Sequence, residues 1–93
     1  MSNIILHATI IISGRVQGVG LRYMVLNESL KFGLVGYVKN CFDGNVEVEV
    51  EGNEEKIEDL IKFIENNPGR SKVTKITKNY STDLENFTRF EIR

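Results

Sequence analysis

The chain has 93 residues, 41% hydrophobic and 27% charged, with a formal net charge of −1. This is the size of one domain built on one core, so a single domain over residues 1–93 is expected; the near-zero charge excludes a polyanion-binding surface, and any affinity for phosphate has to be local. One cysteine and one histidine exclude a disulfide framework and a zinc cluster of the usual ligand count.

In chain order, residues 5–13 alternate. Leu6, Ala8, Ile10 and Ile12 fall on one face and His7, Thr9, Ile11 and Ser13 on the other, the pattern of a half-buried strand. His7, with no second histidine to join it, reads as a solvated strand residue. The apolar runs around it are too broken for a signal peptide or a membrane span. Cytoplasm is the default location, and three glycosylation sequons read as chance matches.

Gly14-Arg15-Val16-Gln17-Gly18-Val19-Gly20-Leu21-Arg22 follows. A strand, a glycine-rich turn and a helix start, in that order, leave several main-chain N–H groups aimed one way, which makes an anion site. Arg22 falls in the first helical turn, where a guanidinium can close over a phosphate with two parallel hydrogen bonds. The turn lacks the Gly-Lys-Ser/Thr ending of a nucleotide-binding P-loop.

Residues 21–32 form an amphipathic helix ended by Gly33. Leu21, Val25 and Phe32 lie on its core face with Met24 beside them, Ser29 on the far flank and Glu28 reaching solvent. Tyr23, Leu26 and Leu30 make a second, outward stripe. Residues 34–40 read as a second strand, Asp43-Gly44 as a tight turn, and Val46-Glu47-Val48-Glu49-Val50-Glu51 as a third strand with valines inward and glutamates in water. A second helix starts at Gly52-Asn53-Glu54-Glu55, buries Ile57, Leu60, Ile61 and Ile64, and stops at Pro68-Gly69. Residues 73–77 suggest a fourth strand with a bulge or an edge position, residues 79–85 a polar loop, and Phe87, Phe90 and Ile92 a short last strand.

This order predicts the α+β class: a ferredoxin-like α/β sandwich, βαββαβ with a short extra C-terminal strand, in which an antiparallel sheet carries two helices on one face. A right-handed crossover makes the first two strands parallel, with the third between them. Their carboxyl ends then share one sheet edge, and Asn40 should face the glycine turn.

The nonapeptide 14–22 resembles the signature of the acylphosphatase family, as do Gly36-Tyr37-Val38-Lys39-Asn40 and Asp43-Gly44-Asn45-Val46-Glu47, and the likeness runs through nearly the whole chain. The resemblance implies a small, cofactor-free hydrolase, without metal, that splits acyl phosphates into carboxylate and inorganic phosphate. Carried onto matching positions, it makes Arg22 the phosphate-binding catalytic arginine and Asn40 the water-positioning asparagine. The amides of Arg15, Val16, Gln17, Gly18, Val19 and Gly20 supply the phosphate cradle. Position 21 is usually aromatic in the family and is Leu21 here, so altered packing under the cradle is expected.

The chemistry agrees with the residues. An acyl phosphate is a mixed anhydride whose carboxylate leaves without a proton, so no general acid is needed, and phosphoryl transfer by positioning and electrostatics remains. Asn40 can accept from a water and orient it in line. Arg15 and Lys39 either add positive field or are simply solvated. Cys41 lacks the loop and arginine that a thiol phosphatase needs just after its cysteine, and reads as incidental. An RNA-binding module of this fold class would need basic and aromatic central strands, which the glutamates oppose; no nucleic acid or membrane partner is expected. The partner is a small acyl phosphate and the expected form a stand-alone monomer. The rival reading is a regulatory anion-binding module without turnover, or a counterpart of the N-terminal domain of larger carbamoyl-transferring maturation enzymes.

Overall fold

The computed structural model describes residues 4–93. Their order is β1 (Ile5–Arg15), α1 (Leu21–Lys31), β2 (Val35–Asn40), β3 (Val46–Asn53), α2 (Glu54–Glu65), β4 (Lys72–Ser81) and β5 (Phe90–Ile92). The strands lie in the order β4-β1-β3-β2-β5. Pairing is antiparallel between β1 and β3, β1 and β4, and β2 and β3. The short β5 joins β2 in parallel, so the expected antiparallel sheet is in fact mixed.

Period-two alternation explains the layers. Ala8, Ile10 and Ile12 of β1, Val38 of β2 and Val46, Val48 and Val50 of β3 are buried on one sheet face. Both helices cover that face, with Leu21 and Val25 of α1 and Ile57, Leu60, Ile61 and Ile64 of α2 completing the core. Each fully buried aliphatic side chain contributes roughly 1.5–3 kcal/mol of burial free energy, and the sandwich is the arrangement that buries all these stripes at once. The helix α1 differs from its expected pattern. Its buried stripe is Leu21, Val25 and Ser29, so Ser29 sits at the centre of the core face, because four-residue spacing outweighs side-chain polarity in setting the face. Leu26 packs against the core, whereas Tyr23 and Leu30 are exposed.

The strand β4 runs on through Ser81, so residues 79–81, expected to open a loop, are strand. Its edge position and bulge are both present. Ser13 faces Lys75 and Gly14 faces Val73, which leaves Thr74 as the extra residue. Opposite that bulge Gly14 has φ 123°, and a Cβ there would collide with the Lys72 carbonyl. This first glycine of the signature therefore serves strand packing, not the approach of a ligand.

Because β4 and β5 occupy opposite edges, the chain between them has to cross the whole sheet. It crosses the helix-free face, and that face is not solvated as the alternation suggests. His7 is buried, with Nδ1 2.7 Å from Glu51 Oε2 and Nε2 2.6 Å from Glu49 Oε1. Glu51, also buried, accepts from the main-chain N–H groups of Glu85, Asn86 and Phe87 at 2.5, 3.0 and 3.4 Å. Phe87 stacks on His7 and meets Tyr37 edge-on. Burial alone would lower the His7 pKa, but the two carboxylates outweigh it and raise it. Burial pushes Glu51 the other way, yet His7 and the three N–H donors win and lower it. His7 and the glutamates thus form the seat of the crossing segment, and the expectation of a solvated histidine and glutamates in water is corrected.

Candidate active site

Strand order puts the ends of β1 and β2 on one edge of the sheet, with the start of β3 between them. Ile12 and Asn40 both pair with Val46. Past Ile12 the strand β1 loses its β3 partner, and residues 13–15 pair with β4 alone. The loop 16–20 therefore overhangs the sheet edge. Its two ends are pinned by the buried side chains of Val16 and Leu21. Leu21 thus fills the packing position expected of it, under the cradle.

Gly20 caps α1 in the left-handed region at φ 81°, with no side-chain hydrogen bond to the helix start, a geometry that favours glycine. The first intrahelical bond runs from Met24 N–H to the Gly20 carbonyl, 3.3 Å. The N–H groups of Leu21, Arg22 and Tyr23 are then the unpaired donors of a helix start. Among the described residues the main-chain N–H groups of Gln17 to Gly20 also have no protein acceptor.

Of these donor residues, Gly18, Gly20, Leu21, Arg22 and Tyr23 border a cavity of about 230 Å³, which Val16 and Asn40 also line. Arg22 and Asn40, eighteen positions apart, meet there, as do the loop residues Val16, Gly18 and Gly20. Arg15, Gln17 and Val19 do not line it. Arg15 ends β1 opposite Lys72, Val19 packs against the core, and Gln17 turns its side chain toward the β2–β3 turn. Sequence reasoning passed over Tyr23 as a lining residue; its place directly after Arg22 on an exposed helical face was the available signal.

The polar groups of the site are unevenly satisfied. Arg22 Nη1 donates to the Arg93 main-chain oxygen at 3.4 Å, and Arg93 N–H donates to the Val38 carbonyl at 2.8 Å, so the end of β5 supports the guanidinium. The Arg93 guanidinium itself lies 4.1 Å from the centre of the Tyr37 ring. Asn40 Oδ1 is buried and has no hydrogen-bond partner. Burial, with Glu47 and Asp43 nearby, pushes the Cys41 thiol up, away from the thiolate that a nucleophile needs.

A second cavity, about 260 Å³, lies on the helix-free face among His7, Tyr37, Glu49, Glu85, Phe87 and Arg93. Its inner groups are already engaged: Glu49 holds His7 and accepts from Thr9 Oγ1 at 2.8 Å, and Tyr37 donates to Glu47 at 3.0 Å. The smaller cavity is the one that gathers unpaired donors, a guanidinium and an unpartnered amide oxygen. It can take an oxyanion and hold a polar molecule beside it.

The chain is similar to known proteins over nearly its whole length. The family model described as Acylphosphatase matches residues 8–92. An acylphosphatase of Bacillus licheniformis is 43% identical over 83 residues, covering 89% of this chain and 92% of the relative. The crystal structure of acylphosphatase from Bacillus subtilis superposes with a TM-score of 0.91 at 44% identity, over 95% of this chain and 98% of that one. Full-length HypF, in a phosphate- and nucleotide-bound form, is similar over 96% of this chain but only 12% of its own, with 34% identity and a TM-score of 0.85.

Proposed function

The chain belongs to the acylphosphatase family, and on that premise we propose that Arg22 and the amides of loop 16–20 hold the phosphoryl group of an acyl phosphate while Asn40 places the attacking water. The observation that carries this reading is the buried, unpartnered Oδ1 of Asn40 in the cavity that also contains Arg22. A buried amide oxygen without a partner costs stability, and a water accepted as donor at that atom removes the cost.

The steps need no further group. The phosphoryl oxygens take hydrogen bonds from the loop and helix-start amides and from the Arg22 guanidinium, all of which strengthen as charge grows on them. The water donates one O–H to Asn40 Oδ1, which aims its lone pair at phosphorus. The new P–O bond forms as the acyl P–O bond breaks, and that bond's electron pair leaves with the carboxylate. The remaining proton of the attacking water passes to a phosphoryl oxygen. The carboxylate leaves as an anion, so the one histidine, buried on the opposite sheet face, is not called upon.

Release of phosphate from a small aryl acyl phosphate tests the assignment. Arg22→Ala and Asn40→Ala should each lose ~10²–10³-fold in kcat, the effect of removing one positioned transition-state donor or orienting group. Addition of chelator should leave the wild-type rate unchanged. Full activity in a folded Arg22→Ala protein would overturn the reading, and binding of inorganic phosphate without turnover by the wild type would point to a regulatory anion module instead.

A further inference from the structure

We infer that the side chain of Gln17 is a positioning residue for this reaction, setting the distance between the phosphate loop and Asn40; the inference rests on the water-placing role proposed for Asn40. The Gln17 amide nitrogen donates to the Cys41 carbonyl at 2.7 Å and to the Asn45 carbonyl at 2.8 Å. Both of its hydrogens are used, so the amide has one orientation. Cys41 and Asn45 are the two sides of the β2–β3 turn, themselves joined by Cys41 N–H to the Asn45 carbonyl at 2.8 Å. Gln17 thus grips both sides of the turn one residue beyond Asn40.

The grip matters because the sheet cannot supply it. Loop and asparagine stand on β1 and β2, which do not touch, since β3 lies between them. Beyond the Ile12–Val46–Asn40 row the β1 strand has no ladder bond toward β2, and the loop that follows overhangs. Among the described residues, the Gln17 amide is the hydrogen-bonded link between the overhanging loop and the turn that carries Asn40. Neither bond reaches into the cavity, and Gln17 does not line it, so its effect on the reaction passes through Asn40. A misplacement of about 1 Å at a reacting group costs on the order of 10²-fold in rate, and loss of this link is a change of that kind.

The test is a double-mutant cycle in kcat for an aryl acyl phosphate, using Gln17→Met, Asn40→Ala and the double variant. Gln17→Met keeps the side-chain length and removes both donors. It should lower kcat by about 10–100-fold, while the affinity for inorganic phosphate stays within twofold because Val16 and Leu21 still pin the loop. In the Asn40→Ala background the same change should cost less than threefold, since there is no longer an amide to place. Equal losses in both backgrounds, or a wild-type kcat in Gln17→Met, overturns the inference. A Gln17→Met protein that no longer binds phosphate does so too, as the loop itself would then depend on the link. A wild-type kcat in Asn40→Ala alone removes the premise, and is told apart by being read in the same cycle. Should Gln17→Met fail to fold, Gln17→Glu serves in its place: a carboxylate facing two carbonyls repels the turn and should give a larger loss in kcat with the same dependence on Asn40.

Discussion

At the scale of single residues, the acid–base group under the sheet gives the chain a defined pH response. His7 has its pKa raised above the ordinary 6.5 by Glu51 and Glu49, against the pull of burial. Its contribution is therefore fully present below about pH 6.5 and is lost as pH rises through the higher folded-state value. Glu51 has its pKa lowered from the ordinary 4.5, burial being outweighed by His7 and the three main-chain donors. Its contribution is present above about pH 4.5 and is lost as pH falls through the lower folded-state value. Stability should be greatest between these limits, and urea midpoints measured from pH 3 to 9 should decline on both sides. His7→Asn should flatten the alkaline limb and also shrink the acid limb, because His7 is the foremost of the groups that lower Glu51, with the three main-chain donors sustaining what remains. Glu51→Ala leaves His7 with Glu49 alone and strands three buried main-chain N–H groups, and should cost about 3 kcal/mol at pH 6. A midpoint independent of pH on the alkaline side in the wild type would contradict this account of His7.

At the scale of elements, the strands and helices that follow one strict period were legible, and the exceptions have physical causes. The β3 valines and the α2 stripe of Ile57, Leu60, Ile61 and Ile64 are buried as their spacing requires, because burial of one face is what that spacing encodes. The glutamates of β3 were half legible: their face was right and their environment was not. What covers them is the crossing from β4 to β5, which depends on strand order and leaves no mark in local alternation. Ser29 is a second case, with a polar side chain on the buried stripe of α1 and an Oγ without a partner. Here the helix carries a cost that one substitution removes. Ser29→Ala deletes a buried unpaired hydroxyl and installs the best helix former, so it should raise stability by about 1 kcal/mol in urea titration, with kcat unchanged. A loss of stability would mean that the hydroxyl is engaged after all.

At the scale of the whole molecule, the sandwich separates what stabilises the chain from what the site does. The core lies between helices and sheet, the acid–base group lies under the sheet, and the loop, Arg22 and Asn40 gather at one edge that neither of them needs for its own packing. The meeting of Arg22 and Asn40 was legible in sequence because it follows from topology: two parallel strands separated by an antiparallel third end on the same edge. The Gln17 link was not, since it depends on the side-chain direction of an overhanging loop. The separation has a measurable consequence at Asn40. Its buried Oδ1 lacks a protein partner, so the side chain adds little to the folded state and carries an unpaired-acceptor penalty of about 1–3 kcal/mol wherever water does not meet it. Truncation to alanine removes that acceptor together with the water-orienting group. Asn40→Ala should therefore show a Tm equal to or above that of the wild type while its kcat falls ~10²–10³-fold. Leu21→Ala should behave in the opposite sense. It empties a fully packed position under the loop, costs ~2–5 kcal/mol, and slows turnover only as far as the loop sags. If Asn40→Ala instead lost stability in proportion to activity, Asn40 would be a structural residue of the strand end, and the site would have to be rebuilt around Arg22 and the loop amides alone.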